Sequence, residues 1–165
     1  MNKNILDPTV STALDEAKVV YEVLECDPNL ADTAAFCEHY GFSLKQSANT
    51  ILVASKKIEP TRYAVCVALA TTRLDVNKRV SELLGAKRLS FANSETTQRL
   101  TGMMIGGVTA IGMKDLPIYV DAAVMEQDKV VMGGGNRSSK VLLNPQELLK
   151  LKGIQVVEDL AKTKG

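Results

Sequence analysis

Two glycine-crowded stretches are where this chain of 165 residues could do chemistry: Gly102-Met103-Met104-Ile105-Gly106-Gly107-Val108-Thr109-Ala110-Ile111-Gly112 and Gly133-Gly134-Gly135-Asn136-Arg137. Glycine allows positive φ in a turn, and it lets a ligand approach the backbone closely. The first use would explain one loop. Two such loops in a small chain, the second followed by Lys140, point to a site. Unshielded N–H groups there could hold a carbonyl, a carboxylate or a phosphate. Arg137 offers a planar fork suited to phosphate, or an ordinary surface salt bridge. Neither stretch is a nucleotide fingerprint. There is no GxxxxGK[ST], and no GxGxxG follows a first strand.

Other chemistries find little support. His39 is the single histidine, so no site can use two. Cys26, Cys37 and Cys66 are odd in number and contain no CxxC pair, which argues against a disulfide framework. A zinc site would need all three with His39, at spacings of no familiar finger. Cys37 and Cys66 read as small core residues, and His39 as a helix-surface residue. Cys26 reads as an inert, partly buried thiol that could sit near the substrate end of a first strand. No GxSxG elbow supplies a nucleophilic serine. No metal and no cofactor is called for.

Composition sets the outer limits. Hydrophobic residues make up 45% and charged residues 24%, the balance of a soluble globular domain. The length suits one domain over residues 1–165, with a core of its own. No apolar run approaches the roughly 18 residues of a membrane helix. The start, Met1-Asn2-Lys3-Asn4-Ile5-Leu6-Asp7-Pro8, has no secretory pattern. Together with the cysteine usage this gives a cytoplasmic expectation and no membrane partner. No Trp and only seven Tyr and Phe argue against a long base-stacking platform. Net charge is +1 but unevenly spread: residues 1–40 hold eight acids against two bases, and the rest 18 bases against 11 acids. Such a chain could meet a polyanion on one face, or simply carry a mixed solvated surface.

The elements that must position the loops follow from pattern. A short helix is expected over 9–17 and a strand over Val19–Cys26. Asp27-Pro28-Asn29 is a turn. Asp32 can cap a helix through Tyr40, with Gly41 as its stop. Asn49–Ser55 reads as a strand, and Arg62–Thr71 as a longer central one, apolar on both faces. Asp75 caps a helix with Val76, Val80, Leu83 and Leu84 at helical spacing, ending at Gly85. Lys87–Phe91 is a strand, and Asn93 or Ser94 opens a helix that stops at Gly102. Pro117–Asp121, Lys129–Met132 and Lys140–Leu143 are strands. Asn144, Pro145 and Glu147 form a capping signature for a last helix. Strands and helices interleave irregularly, which predicts an α+β domain around a mixed sheet.

The run LDVNKRVSELLGAKRLSFANSETTQRLTGMMIGGVTAIG, then LPIYVDAAV, then VVMGGGNR, resembles the YbaK/prolyl-tRNA synthetase-associated domain family from about Val19 to Leu149. The order is specific: LD before a helix, LGAK, TG followed by GG and G, an Asp after a strand, then GGxR. The resemblance implies an editing domain that hydrolyses mischarged aminoacyl-tRNA. It implies a central mixed sheet curled into a partial barrel and flanked by helices, and a pocket for the aminoacyl group and terminal adenosine. The implied partners are the tRNA acceptor end and an aminoacyl-tRNA synthetase; no oligomeric state is implied. Three positions depart from the family. Asn49 stands where a lysine precedes the threonine of the TLLV-like strand, Ala110 replaces a proline, and Lys140 replaces an acidic residue or histidine.

On this resemblance Asn49, Gly106, Gly107 and Lys140 are the expected catalytic positions. Thr50, Val108, Gly112, Asp121, Gly134, Gly135, Asn136 and Arg137 are the expected substrate-binding ones. An activated ester needs a placed water, or a neighbouring group of the substrate, and donors for the oxyanion. The N–H groups of Gly106, Gly107 and Val108 would supply the donors, and Asn49 would orient the amino acid or water. Lys140 or Arg137 would hold the terminal phosphate or ribose. Small residues such as Ala, Ser or Cys are the expected acyl groups. Two other functions stay open: a non-catalytic module holding a tRNA end or aminoacyl-nucleotide, and a small-molecule hydrolase or binder unrelated to tRNA.

Overall fold

The structure is a computed structural model that describes residues 5–164. Met1–Asn4 of the N-terminal segment lie outside the described residues. Asp7 accepts the Thr9 N–H and starts α1 (Pro8–Glu16), with Pro8 in its first turn, where no N–H is needed. Val10 and Leu14 point into the core. The expected strand over Val19–Cys26 is shorter: the helix end runs on through a Val19 N–H to Leu14 bond, and only β1 (Glu22–Glu25) pairs.

α2 (Thr33–Tyr40) and α4 (Ser94–Thr101) form where expected, and Gly41 and Gly102 end them in left-handed conformation. Between them run β2 (Ala48–Ser55), β3 (Tyr63–Leu69), β4 (Thr72–Leu74), a wide π-helical turn over Val76–Val80, α3 (Ser81–Leu84) and β5 (Leu89–Phe91). The wide turn replaces the regular helix expected after Asp75. The Val80 N–H reaches back five residues to the Asp75 carbonyl. The Asp75 carboxylate meets Lys162 at 3.5 Å and makes no cap bond.

The chain continues through β6 (Ile118–Asp121), β7 (Val130–Gly133), β8 (Ser139–Leu143), β9 (Ile154–Val157) and β10 (Ala161–Thr163). The expected last helix is a tight 3₁₀ segment, Pro145–Lys150. Asn144 caps it, but Glu147 accepts the Val20 N–H instead of closing the capping box.

Five strands form a mixed sheet in the order β5-β2-β3-β6-β9, with β3, β6 and β9 parallel. β1-β8-β7 form an antiparallel sheet, and β10 pairs with β4. The architecture is thus α+β around a mixed sheet; no closed barrel forms among the described residues. β3 is central and buried on both faces, as its unbroken apolar run predicts. Alternation splits it. Val65, Val67 and Leu69 face a core shared with α1, while Ala64, Cys66 and Ala68 face one shared with Val80, Leu84 and Leu160. A third cluster, Cys26, Ala31, Phe36, Cys37 and Val131, lies under α2. Among the described residues no helix is long and apolar enough to cross a membrane.

All three thiols are buried, and His39 is exposed on α2. Burial pushes Cys66 up to about 12 and raises Cys26 and Cys37. The thiolate is the reactive form. Iodoacetamide at mildly alkaline pH should therefore label none of the three in the folded protein and all three after unfolding, read by mass spectrometry.

A cleft between two carbonyl-anchored cations

The two glycine loops meet. The Gly135 N–H donates to the Gly107 carbonyl at 2.7 Å, and a Cβ on Gly107 would fall inside the Asn136 backbone. An isolated parallel bridge, Ser47 to Val131, sets β7 beside the start of β2. A cleft of about 290 Å³ opens between them and α2. β2 contributes Asn49, Thr50 and Leu52, the first loop Ile105, Gly106 and Val108, and β8 contributes Lys140.

Each of these is held from behind. The Asn49 Oδ1 accepts the Thr33 hydroxyl at 2.7 Å, leaving its NH₂ without an acceptor among the described residues. The Thr50 hydroxyl accepts the Ala110 N–H at 3.1 Å and so ties the glycine loop to β2. Gly106 has φ +94°, a conformation glycine alone adopts readily. The Gly106 and Val108 N–H groups find no acceptor among the described residues. The Gly107 N–H does: it donates to the Met104 carbonyl at 2.9 Å and is not available to a ligand.

Lys140 is buried, and its ammonium donates to the Ala31 carbonyl at 2.6 Å and the Gly106 carbonyl at 2.7 Å. It also lies 5.5 Å from the centre of the Phe36 ring. Burial holds its pKa below the usual 10.5, against the opposing influence of Cys26. Arg137 is similarly engaged. Its Nε donates to the Pro28 carbonyl at 3.0 Å, and one terminal nitrogen reaches the Ile105 carbonyl at 2.7 Å and the Asp32 carboxylate at 3.2 Å. Both cations thus fasten the segment before α2 to the first glycine loop. Each keeps a donor in reserve: one N–H of the Lys140 ammonium and the second terminal nitrogen of Arg137 have no partner among the described residues.

Five other expected residues lie off the cleft. Gly112 packs against Thr9 of α1. Gly134 accepts the Asp7 N–H, and a side chain there would meet Ser139. Asn136 donates to the Ile5 carbonyl and accepts from Ser138 and Ser139, closing its own turn. Gly135 abuts Asp7 and Val10. Asp121 is buried at the end of β6, where it accepts the Leu160 N–H at 3.2 Å; burial raises its pKa. It organises the β9–β10 turn. Sequence reasoning missed Asp32, Thr33, Phe36, Ile105, Val131 and Met132, all on the cleft wall. Asp32 was legible only as a cap, yet its side chain makes no cap bond and pairs with Arg137.

The model of the aminoacyl-tRNA editing domain matches residues 27–151, a span that holds every cleft residue named above. The chain belongs to the aminoacyl-tRNA editing domain family. This editing domain is 25% identical over 126 residues to an Enterococcus faecalis protein, EbsC, provisionally named a Cys-tRNA(Pro)/Cys-tRNA(Cys) deacylase; the match covers 76% of the chain and 74% of EbsC. It is 29% identical over 107 residues to the proline–tRNA ligase of Desulforamulus reducens, covering 64% of the chain but only 18% of the ligase. A crystal structure described provisionally as a trans-editing enzyme for prolyl tRNA synthetase superposes with TM-score 0.77 at 26% identity, over 97% of this chain and 99% of that one. A hypothetical protein of known structure shares the fold with TM-score 0.82 at 22% identity, over 93% and 99% of the two chains.

Proposed function

We propose that this editing domain is an aminoacyl-tRNA deacylase acting in trans, on tRNA mischarged with a small amino acid such as Ala, Ser or Cys. The observation that carries the reading is one wall of the cleft: Gly106 and Val108, whose N–H groups have no acceptor among the described residues, line the same space as Asn49. Two N–H donors fixed before reaction suit the oxyanion formed when water attacks an ester carbonyl. The Asn49 NH₂ orients the acyl group or the water. Lys140 positions rather than contacts, because its bond to the Gly106 carbonyl fixes the peptide whose neighbours carry the donors. A cleft near the lower end of ligand-pocket volumes, lined by Phe36, Leu52, Val131 and Met132, fits a small acyl group better than a large one. The relatives named for deacylation and trans-editing support the same reading.

The two carbonyl bonds of the Lys140 ammonium favour a second reading, a non-catalytic module, since the cation that lines the cleft is engaged in holding its frame. Turnover separates the two. Purified protein is mixed with a panel of mischarged tRNAs, and release of the amino acid is followed under single-turnover conditions. Hydrolysis of a small-residue tRNA is expected, and Asn49→Ala should slow it about tenfold, within the range of one lost polar contact. No hydrolysis of any member of the panel leaves the binding module as the function.

A further inference from the structure

We propose that an exposed basic ridge at Lys56, Lys57, Lys87 and Arg88 is the docking surface for the phosphate backbone of the tRNA acceptor stem. The proposal rests on the deacylase reading and adds a second contact area outside its cleft. The four residues are separate in sequence and joined by strand pairing. Ser55 is in register with Leu89, and the Lys56 N–H donates to the Arg88 carbonyl at 2.8 Å. All four side chains are exposed, and none is in an ion pair among the described residues. Glu59, in the same turn, is the one carboxylate beside them in sequence. Arg62 is adjacent, but its guanidinium is held by the Leu84 and Gly85 carbonyls and adds charge without being free to move.

Both strands of this ridge lead into the cleft. Leu52 on β2 and Ala92 just after β5 line it, and they are bonded to each other at 2.8 Å. Lys56 and Arg88 each lie four residues further along, about 13 Å at the rise of a strand. The opposite flank has the other sign. Glu25 on β1, Asp27, and Glu38 on α2 are all exposed, while Glu22 on β1 is offset by Lys129 at 3.9 Å. A polyanion whose end enters the cleft is therefore repelled on the α2 side and drawn onto the β2–β5 side. The uneven charge of the sequence thus becomes a direction of approach.

The test compares two substrates and two double reversals. The substrates are full-length aminoacyl-tRNA and a short aminoacylated oligonucleotide that ends in the same acceptor nucleotides but has no stem. Lys56→Glu/Arg88→Glu reverses the ridge. Lys114→Glu/Lys152→Glu makes the same net change near β9, the opposite edge of the sheet, about 19 Å away by strand spacing. The ridge reversal should lower kcat/KM on full-length tRNA about tenfold or more and leave the short substrate unchanged. The salt dependence of tRNA binding should become shallower by about two in log–log slope. The control reversal should change neither. Equal losses on both substrates, or no loss on tRNA, overturn the ridge while leaving the deacylase reading intact. Wild-type protein that hydrolyses neither substrate overturns both. Thermal unfolding of each variant, expected to match wild type, and the milder Lys56→Ala/Lys87→Ala pair guard against misfolding.

Discussion

Gly107→Ala should abolish the cleft. The added methyl cannot be placed without moving the Asn136 backbone, whose nitrogen would lie 2.7 Å from it and whose carbonyl would lie closer still. A clash with a flexible side-chain tip relaxes cheaply, but here the obstacle is main chain, itself fixed by the Asn136 bonds to Ile5, Ser138 and Ser139. Overpacking of this kind costs about 3 kcal/mol, and a domain of this size then loses roughly 6–12 °C in Tm. The same shift would break the Gly135 N–H bond to the Gly107 carbonyl, so the loops would part and hydrolysis should fall below detection. Calorimetry and the deacylation assay check the two effects separately. An unchanged Tm would mean that the loops are not in contact.

Lys140→Met should be the second large effect. Methionine keeps the stem volume and removes the ammonium. The Ala31 and Gly106 carbonyls would then lose their partner, at about 1–3 kcal/mol for each buried group left unsatisfied. Relief from burying a charge offsets part of this, so a net loss of about 2–3 kcal/mol is expected. Hydrolysis should fall about 10–100-fold as the Gly106 peptide loosens, mostly in kcat rather than KM, because no substrate contact is removed. The pH profile adds an independent readout. The native ammonium has a lowered pKa, so between that value and 10.5 the unfolded chain binds more protons than the folded one. Wild-type stability therefore gains with rising pH from this group, and the gap to Lys140→Met should widen as the pH rises toward 10.5. A constant gap would show that burial does not lower the pKa of this ammonium.

What could be read from the residues was whatever depends on local pattern. The unbroken apolar run of β3 announced a central strand. The glycines after Tyr40, Leu84 and Thr101 announced helix ends. β4, β9 and β10 went unseen because they are three or four residues long and partly exposed, with no run or alternation to mark them. At the site, the resemblance picked out Asn49, Thr50, Gly106, Val108 and Lys140, which do converge. It also carried over Asp121 and Gly112, which serve the β9–β10 turn and the α1 contact instead. The partners of Lys140 and Arg137 were illegible for a physical reason: carbonyl oxygens occur at every residue, so no side-chain type betrays them. Ala31 and Lys140 are 109 positions apart.

That anonymity has its own effect. Fasteners that grip main-chain oxygens are indifferent to which side chains those residues bear. Ile105, half exposed at the cleft, could be exchanged for a larger or smaller group, reshaping the chamber for a different acyl residue, while the frame around it stays bolted in place.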